Sequence, residues 1–99
     1  MLLIVGTVRL PPENVGAARP AMSRMVEASR AEPGCRGYSY AEDVLDPGLI
    51  RVTELWDGRA ALEAHLASPH IAEWRAAWPG LGIRDRDLTL HEIAASSPT

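Results

Sequence analysis

Asp46-Pro47-Gly48 lies between two stretches whose side chains alternate, and this arrangement restricts the fold more than any other feature of the chain. Proline presets one turn dihedral and glycine supplies the other, so the chain must reverse there. Before the turn, Cys35 to Asp43 puts Arg36, Tyr38, Tyr40 and Glu42 on one face and Cys35, Gly37, Ser39 and Ala41 on the other. The small-residue face leaves room for a bulky neighbour or a ligand. After the turn, Leu49 to Trp56 gathers Ile50, Val52, Glu54 and Trp56 on one face. Period-two strands joined by a short turn pair antiparallel.

The flanks supply the remaining elements. Leu2 to Leu10 is rich in branched residues and apolar on both faces up to Thr7, which predicts a central strand. Gly6 within it predicts a bulge, the alternative being close approach of a ligand or another backbone. Pro11-Pro12-Glu13 suits a helix start, and Val15, Ala18, Met22, Met25, Val26 and Ser29 recur at helical spacing, with Pro20 off that stripe. Asn14 reads as a cap in the first turn, and Pro33-Gly34 ends the helix. Asp57 is predicted to cap a second helix, Gly58 to Ala67, whose inward face is Ala61, Leu62, His65 and Leu66. Ser68 caps again and Pro69 restarts the helix with Ile71, Trp74 and Trp78 inward, until Pro79-Gly80 closes it. A last strand is predicted from Leu88 to Ile93, after the polar Arg84-Asp85-Arg86-Asp87. The order is βαββαβ with a split second helix, which predicts an α+β ferredoxin-like sandwich with an antiparallel sheet. Residues 1–93 form the single expected domain, and Ala94 to Thr99 is expected to be a disordered tail.

With 99 residues there is no room for a second domain. A net charge of −3 gives no basic stripe for nucleic acid. No window approaches the ~20 apolar residues of a membrane span, and the N-terminus lacks the basic start and cleavage site of a signal peptide. The single Cys35 cannot form an intrachain disulfide. A cytoplasmic protein, complete at both ends, is the expectation. The sheet face opposite the helices carries apolar residues that need cover, so a homodimer is predicted.

Three blocks in order carry a family resemblance: Glu27 to Tyr38, Glu54-Leu55-Trp56, and Arg59 to His70. With this spacing the chain resembles the antibiotic biosynthesis monooxygenases, small dimeric α/β-barrel proteins that include quinol monooxygenases. The resemblance implies two copies closing into a barrel. It also implies oxidation of a quinol, phenol or anthrone-like aromatic substrate by O₂ without metal, flavin or other cofactor. The haem-degrading branch of the superfamily pairs an asparagine on the first strand with a tryptophan and a histidine on the helices. Here Gly6 or Thr7 stands near the first position, His65 near the second and Arg75 near the third, so haem degradation is not expected.

Within this frame His65 is the expected catalytic base. A histidine ordinarily titrates near neutrality, which suits taking a phenolic proton, and it coincides with the family's characteristic histidine. The competing reading is a core histidine satisfied by a backbone carbonyl or by Glu54. Trp74, His70, Trp56 and Tyr38 are the expected substrate-binding residues, though tryptophans at helical spacing also serve as core. Glu54, inward on a strand, is expected to support His65 or to form a structural ion pair. His65 and His70 straddle a Ser-Pro break and lack the same-face spacing of a helical metal pair, so no metal is expected. The rival class is a ligand-binding or isomerase-like protein of the same fold; a concave cavity beside His65 favours the enzyme.

Overall fold

The computed structural model describes residues 1–99. Its elements run β1 (Leu2–Arg9), a 3₁₀ turn (Pro12–Asn14), α1 (Val15–Arg30), β2 (Cys35–Glu42), β3 (Leu49–Trp56), α2 (Arg59–Leu66), α3 (Pro69–Leu81) and β4 (Arg84–Glu92). All neighbouring strands are antiparallel in the order β2-β3-β1-β4. This is the expected ferredoxin-like α+β sandwich. No helix is long and apolar enough to cross a membrane.

The period-two patterns assign the faces. Leu2, Ile4 and Val8 of β1, Tyr38 of β2, and Ile50, Val52, Glu54 and Trp56 of β3 are all buried, alternating with more exposed neighbours. Ala18, Met25 and Ser29 of α1, Leu62 and His65 of α2, and Ile71 and Trp74 of α3 cover them. The core is therefore a layer between one sheet face and three helices, and Glu54 and His65 are among its few polar members. Such groups persist in an apolar layer only with partners.

Several local expectations are corrected. β1 runs unbroken through Gly6, which pairs with Val52 on one side and Leu88 on the other. A Cβ on Gly6 would lie 1.9 Å from the Asp87 carbonyl oxygen, so the glycine serves a close backbone approach. The irregularity sits next to it on β4, where the register shifts between Thr7 and Arg9 and Asp85 takes a φ of 56°. β4 also begins at Arg84, ahead of the predicted start. It is an edge strand with both faces largely exposed there, so no hydrophobic alternation marks its beginning.

Asp57 does not cap α2; its carboxylate takes the Arg36 guanidinium from β2, and extended Gly58 precedes the helix. Leu66, expected inward, is 53% exposed. α3 continues past Pro79-Gly80 to Leu81 and ends at Gly82, whose φ of 72° is the left-handed closure glycine permits. Asn14 makes no cap on its own helix and instead donates from Nδ2 to the Leu81 carbonyl at 2.9 Å, holding the far end of α3.

Candidate active site

The turn after α1 meets the junction of α2 and α3, more than thirty residues further along the chain. α1 stops at Arg30, and the following turn carries Glu32 against the second helix. Gly34 in that turn has a φ of 81°, and a Cβ there would come within 2.6 Å of the Ala61 Cβ, so the turn can lie on α2 only with glycine at this position. Ser68 fixes the junction itself: its Oγ accepts from the Ile71 N–H at 3.4 Å and donates to the His65 carbonyl at 2.6 Å. One hydroxyl thus starts α3 and holds the end of α2. His65, in the last turn of α2, and His70, in the first turn of α3, face the same carboxylate as a result.

His65 Nδ1 lies 2.8 Å from Glu32 Oε1, and His70 Nε2 lies 2.5 Å from the same oxygen. An ionised carboxylate only accepts, so both imidazoles donate to it. In the neutral ring this contact puts the His65 proton on Nδ1 and leaves the Nε2 lone pair free. That second nitrogen stands 3.9 Å from Glu54 Oε1, which itself accepts from the Trp56 indole N–H at 3.1 Å. Burial pushes the Glu54 carboxyl above its ordinary pKa, against the opposing effects of the Trp56 hydrogen bond and His65. The His65 ring packs between Trp56 and Tyr38, with centroids 4.6 and 5.2 Å away. A histidine gripped at one nitrogen by a carboxylate, with the other nitrogen free, is the base-plus-orienter arrangement. The gripping residue is Glu32, not Glu54.

A cavity of about 180 Å³ opens beside His65, between the sheet and the α2–α3 pair. Ile4, Val8, Leu88 and Leu90 form its apolar floor, Tyr38, Tyr40 and Glu54 come from the hairpin, and Trp74, Trp78 and Ile71 form the far wall. The indole N–H groups of Trp74 and Trp78 are buried in this wall with no hydrogen-bond partner within normal distance. Burial also pushes the Tyr38 and Tyr40 hydroxyls up, keeping them protonated as donors. Arg75 and Arg86 bring positive charge to the same cavity, and the Arg75 guanidinium stands 5.0 Å over the Trp78 ring.

Of the residues singled out from sequence, His65, Trp74, Tyr38 and Glu54 share this cavity. Trp56 is fully buried behind them, bonded to Glu54 and packed on His65 and Tyr38. His70 lines a separate depression with Met25, Ala28 and Glu73. Sequence reasoning gave Glu32, Arg75 and Arg86 no place in the site. Glu32 lay within the family block Glu27 to Tyr38, the one signal that pointed to it; Arg86 lay in a stretch that reads as loop. His65 and His70 straddle the Ser-Pro break and lack same-face helical spacing, as the sequence shows, yet both reach Glu32. The Ser68-Pro69 break turns the chain, and the donor atoms of Glu32, His65 and His70 lie within 4.8 Å of one another.

Residues 1–77 match the family model for antibiotic biosynthesis monooxygenase. The chain belongs to the antibiotic biosynthesis monooxygenase family. Relatives and solved structures agree. The chain is 37% identical over 65 residues to the monooxygenase candidate Rv0793 of Mycobacterium tuberculosis, covering 66% of this chain and 63% of that protein. The solved structure of Rv0793 superposes with a TM-score of 0.84 at 28% identity over 98% of each chain. The probable quinol monooxygenase YgiN of Escherichia coli K12 is 29% identical over 90 residues, covering 81% of this chain and 86% of YgiN. A crystal structure of a candidate antibiotic biosynthesis monooxygenase from Deinococcus radiodurans has a TM-score of 0.92 at 29% identity, covering 100% of this chain and 98% of that one. In sequence, the chain spans 63% of the length of Rv0793 and the same share of a second curated relative.

Proposed function

We infer that this family member is a cofactor-independent monooxygenase of single-ring phenols or quinols, with His65 Nε2 as the base. The observation that carries this reading is the buried His65, held at Nδ1 by Glu32 at 2.8 Å beside a concave cavity. The relatives named as monooxygenases support the reaction class. An apolar cavity of roughly 150 Å³ accepts a benzene ring, so about 180 Å³ favours one ring over the three of an anthrone.

In this scheme the phenolic hydroxyl gives its proton to His65 Nε2, and the imidazolium formed is flanked by Glu32 and Glu54. The phenolate passes one electron to O₂, the two radicals combine at a ring carbon, and the peroxide loses water. A quinol plus O₂ gives a hydroxyquinone plus H₂O. Dioxygen takes four electrons, one oxygen atom stays on the ring, and the other leaves as water with two protons. Arg75 and Arg86 oppose the negative charge that develops on substrate oxygen and on reduced dioxygen. Trp74 and Tyr38 hold the ring and the apolar floor excludes water.

A homodimer fits the same reading. No element of one chain covers the sheet face that bears Leu3, Val5 and Leu55, and a second copy placed there would close the two sheets into a barrel. The test is oxygen uptake with a panel of quinols, phenols and anthrones. Turnover is expected with single-ring substrates and a loss of about 10²–10⁴ in kcat for His65→Gln, with folding checked by circular dichroism. No uptake with any panel member would overturn the oxygenase reading, and full turnover by His65→Gln would overturn the base.

A further inference from the structure

We propose that Glu32, His65 and His70 form a binding site for a divalent transition-metal ion, on the side of the His65 ring away from the cavity. Two imidazole nitrogens and a carboxylate oxygen lie within 4.8 Å of one another. Two histidines and one glutamate with an open fourth position are the ligand set of open zinc sites, and imidazole donors select zinc, nickel or copper over magnesium or calcium. The histidines arrive from different helices on either side of a capped break, so the backbone, not a flexible side chain, sets their separation. Packing against Trp56 and Tyr38 fixes the His65 ring.

The present contacts of 2.8 and 2.5 Å are hydrogen bonds. Metal–ligand bonds of about 2.0–2.2 Å in tetrahedral geometry need donor atoms roughly 3.3–3.5 Å apart, so Glu32 Oε1 must draw back from both nitrogens by somewhat under 1 Å, while the two nitrogens, up to 4.8 Å apart, must close on one another. Glu32 is able to draw back, since it lies in a turn and its side chain keeps 13% exposure, and His70 in the first turn of α3 is the less enclosed of the two rings that must close. The His70 side chain is 23% exposed, which leaves the fourth position to water. Ser68 Oγ, 3.2 Å from His70 Nε2, is placed to hold that water. On binding, each imidazole moves its proton to the other ring nitrogen, so no net proton is released from a neutral pair. His65 then carries its proton on Nε2, facing Glu54 Oε1 at 3.9 Å. A carboxylate behind a metal-bound histidine is the partner such ligands take. The proton displaced to Nε2 would therefore occupy the very lone pair that the base mechanism needs, and a loaded site would be a switched-off base. That consequence rests on the base reading; the metal site itself does not.

The experiment is calorimetric titration of untagged, chelator-treated protein with Zn²⁺, followed by Co²⁺ absorption as a probe of coordination. One equivalent per chain with micromolar or tighter affinity is expected. Affinity should fall at least a hundredfold in His70→Ala and in Glu32→Gln, and stay unchanged in His91→Ala, which removes the one remaining histidine. Imidazole ¹⁵N shifts of the unmutated protein give a readout independent of variant folding: Zn²⁺ should move His65 Nδ1 and His70 Nε2 to the metal-bound range. No stoichiometric binding, binding indifferent to His70→Ala and Glu32→Gln, binding lost with His91→Ala, or histidine shifts that do not move would each overturn the site. None of these readouts depends on turnover, so failure of the metal site and failure of the oxygenase reading are separable.

Discussion

Glu54→Gln isolates the effect of burying one carboxylate in the core. Glu54 is 5% exposed and burial raises its pKa above the ordinary 4.5. The unfolded chain therefore ionises this group at lower pH than the native protein does. Between 4.5 and the raised native value, the native state holds one proton more than the unfolded state, and stability falls as pH rises through that window. The limiting slope is about 1.4 kcal/mol per pH unit for one proton. Glutamine keeps the oxygen that accepts from Trp56 Nε1 at 3.1 Å and removes only the charge. The stability difference, variant minus parent, should therefore be smallest near pH 4.5 and grow in favour of the variant as pH rises above it. Urea unfolding at intervals from pH 4.5 to 8 measures this difference directly, with equal m-values confirming that the unfolded states match. A flat difference, or one that favours the parent increasingly as pH rises, would refute the placement of a carboxylate whose burial outweighs its partners beside His65.

Other perturbations probe the scaffold. Gly6→Ala forces the β4 backbone away at a point where a Cβ would sit 1.9 Å from the Asp87 oxygen; a loss of about 1–3 kcal/mol is expected in thermal or chemical unfolding. Ser68→Ala removes both the α3 cap and the tie to the His65 carbonyl, for a loss of about 1 kcal/mol and a measurable shift of the His65 imidazole resonances. Trp78→Ala takes out a half-buried wall residue and should extend oxygen uptake toward anthrones while lowering the melting temperature; an unchanged substrate range would argue that the cavity does not set size.

Periodicity carried most of what was legible. Alternation in Leu49 to Trp56 assigned Glu54 and Trp56 to the core face, and helical spacing turned His65 inward, because side-chain direction follows local backbone geometry. Ser68-Pro69 marked the restart between α2 and α3 for the same local reason: an acceptor for a free N–H and a residue that needs no N–H of its own. Signals of that kind fail where an element is held from elsewhere. Asn14 lies in the right place to cap α1, yet its amide reaches the Leu81 carbonyl. Asp57 reads as the cap of α2, yet the helix begins one residue later, after Gly58, and Arg36 takes the carboxylate.

The sequence by itself determined the βαββαβ order, the antiparallel hairpin, the buried histidine and the family, since each depends on residues near one another in the chain or on blocks in a fixed order. Only the tertiary structure decided who holds that histidine. Glu32 reaches His65 and His70 across a sequence separation of more than thirty residues, and Arg86 enters the cavity from an edge strand that has no hydrophobic pattern at its start. Such contacts arise when packing of the helix layer on the sheet brings a turn, two helix ends and a strand bulge together. No local propensity encodes that meeting, because its energy appears only once the layers are closed.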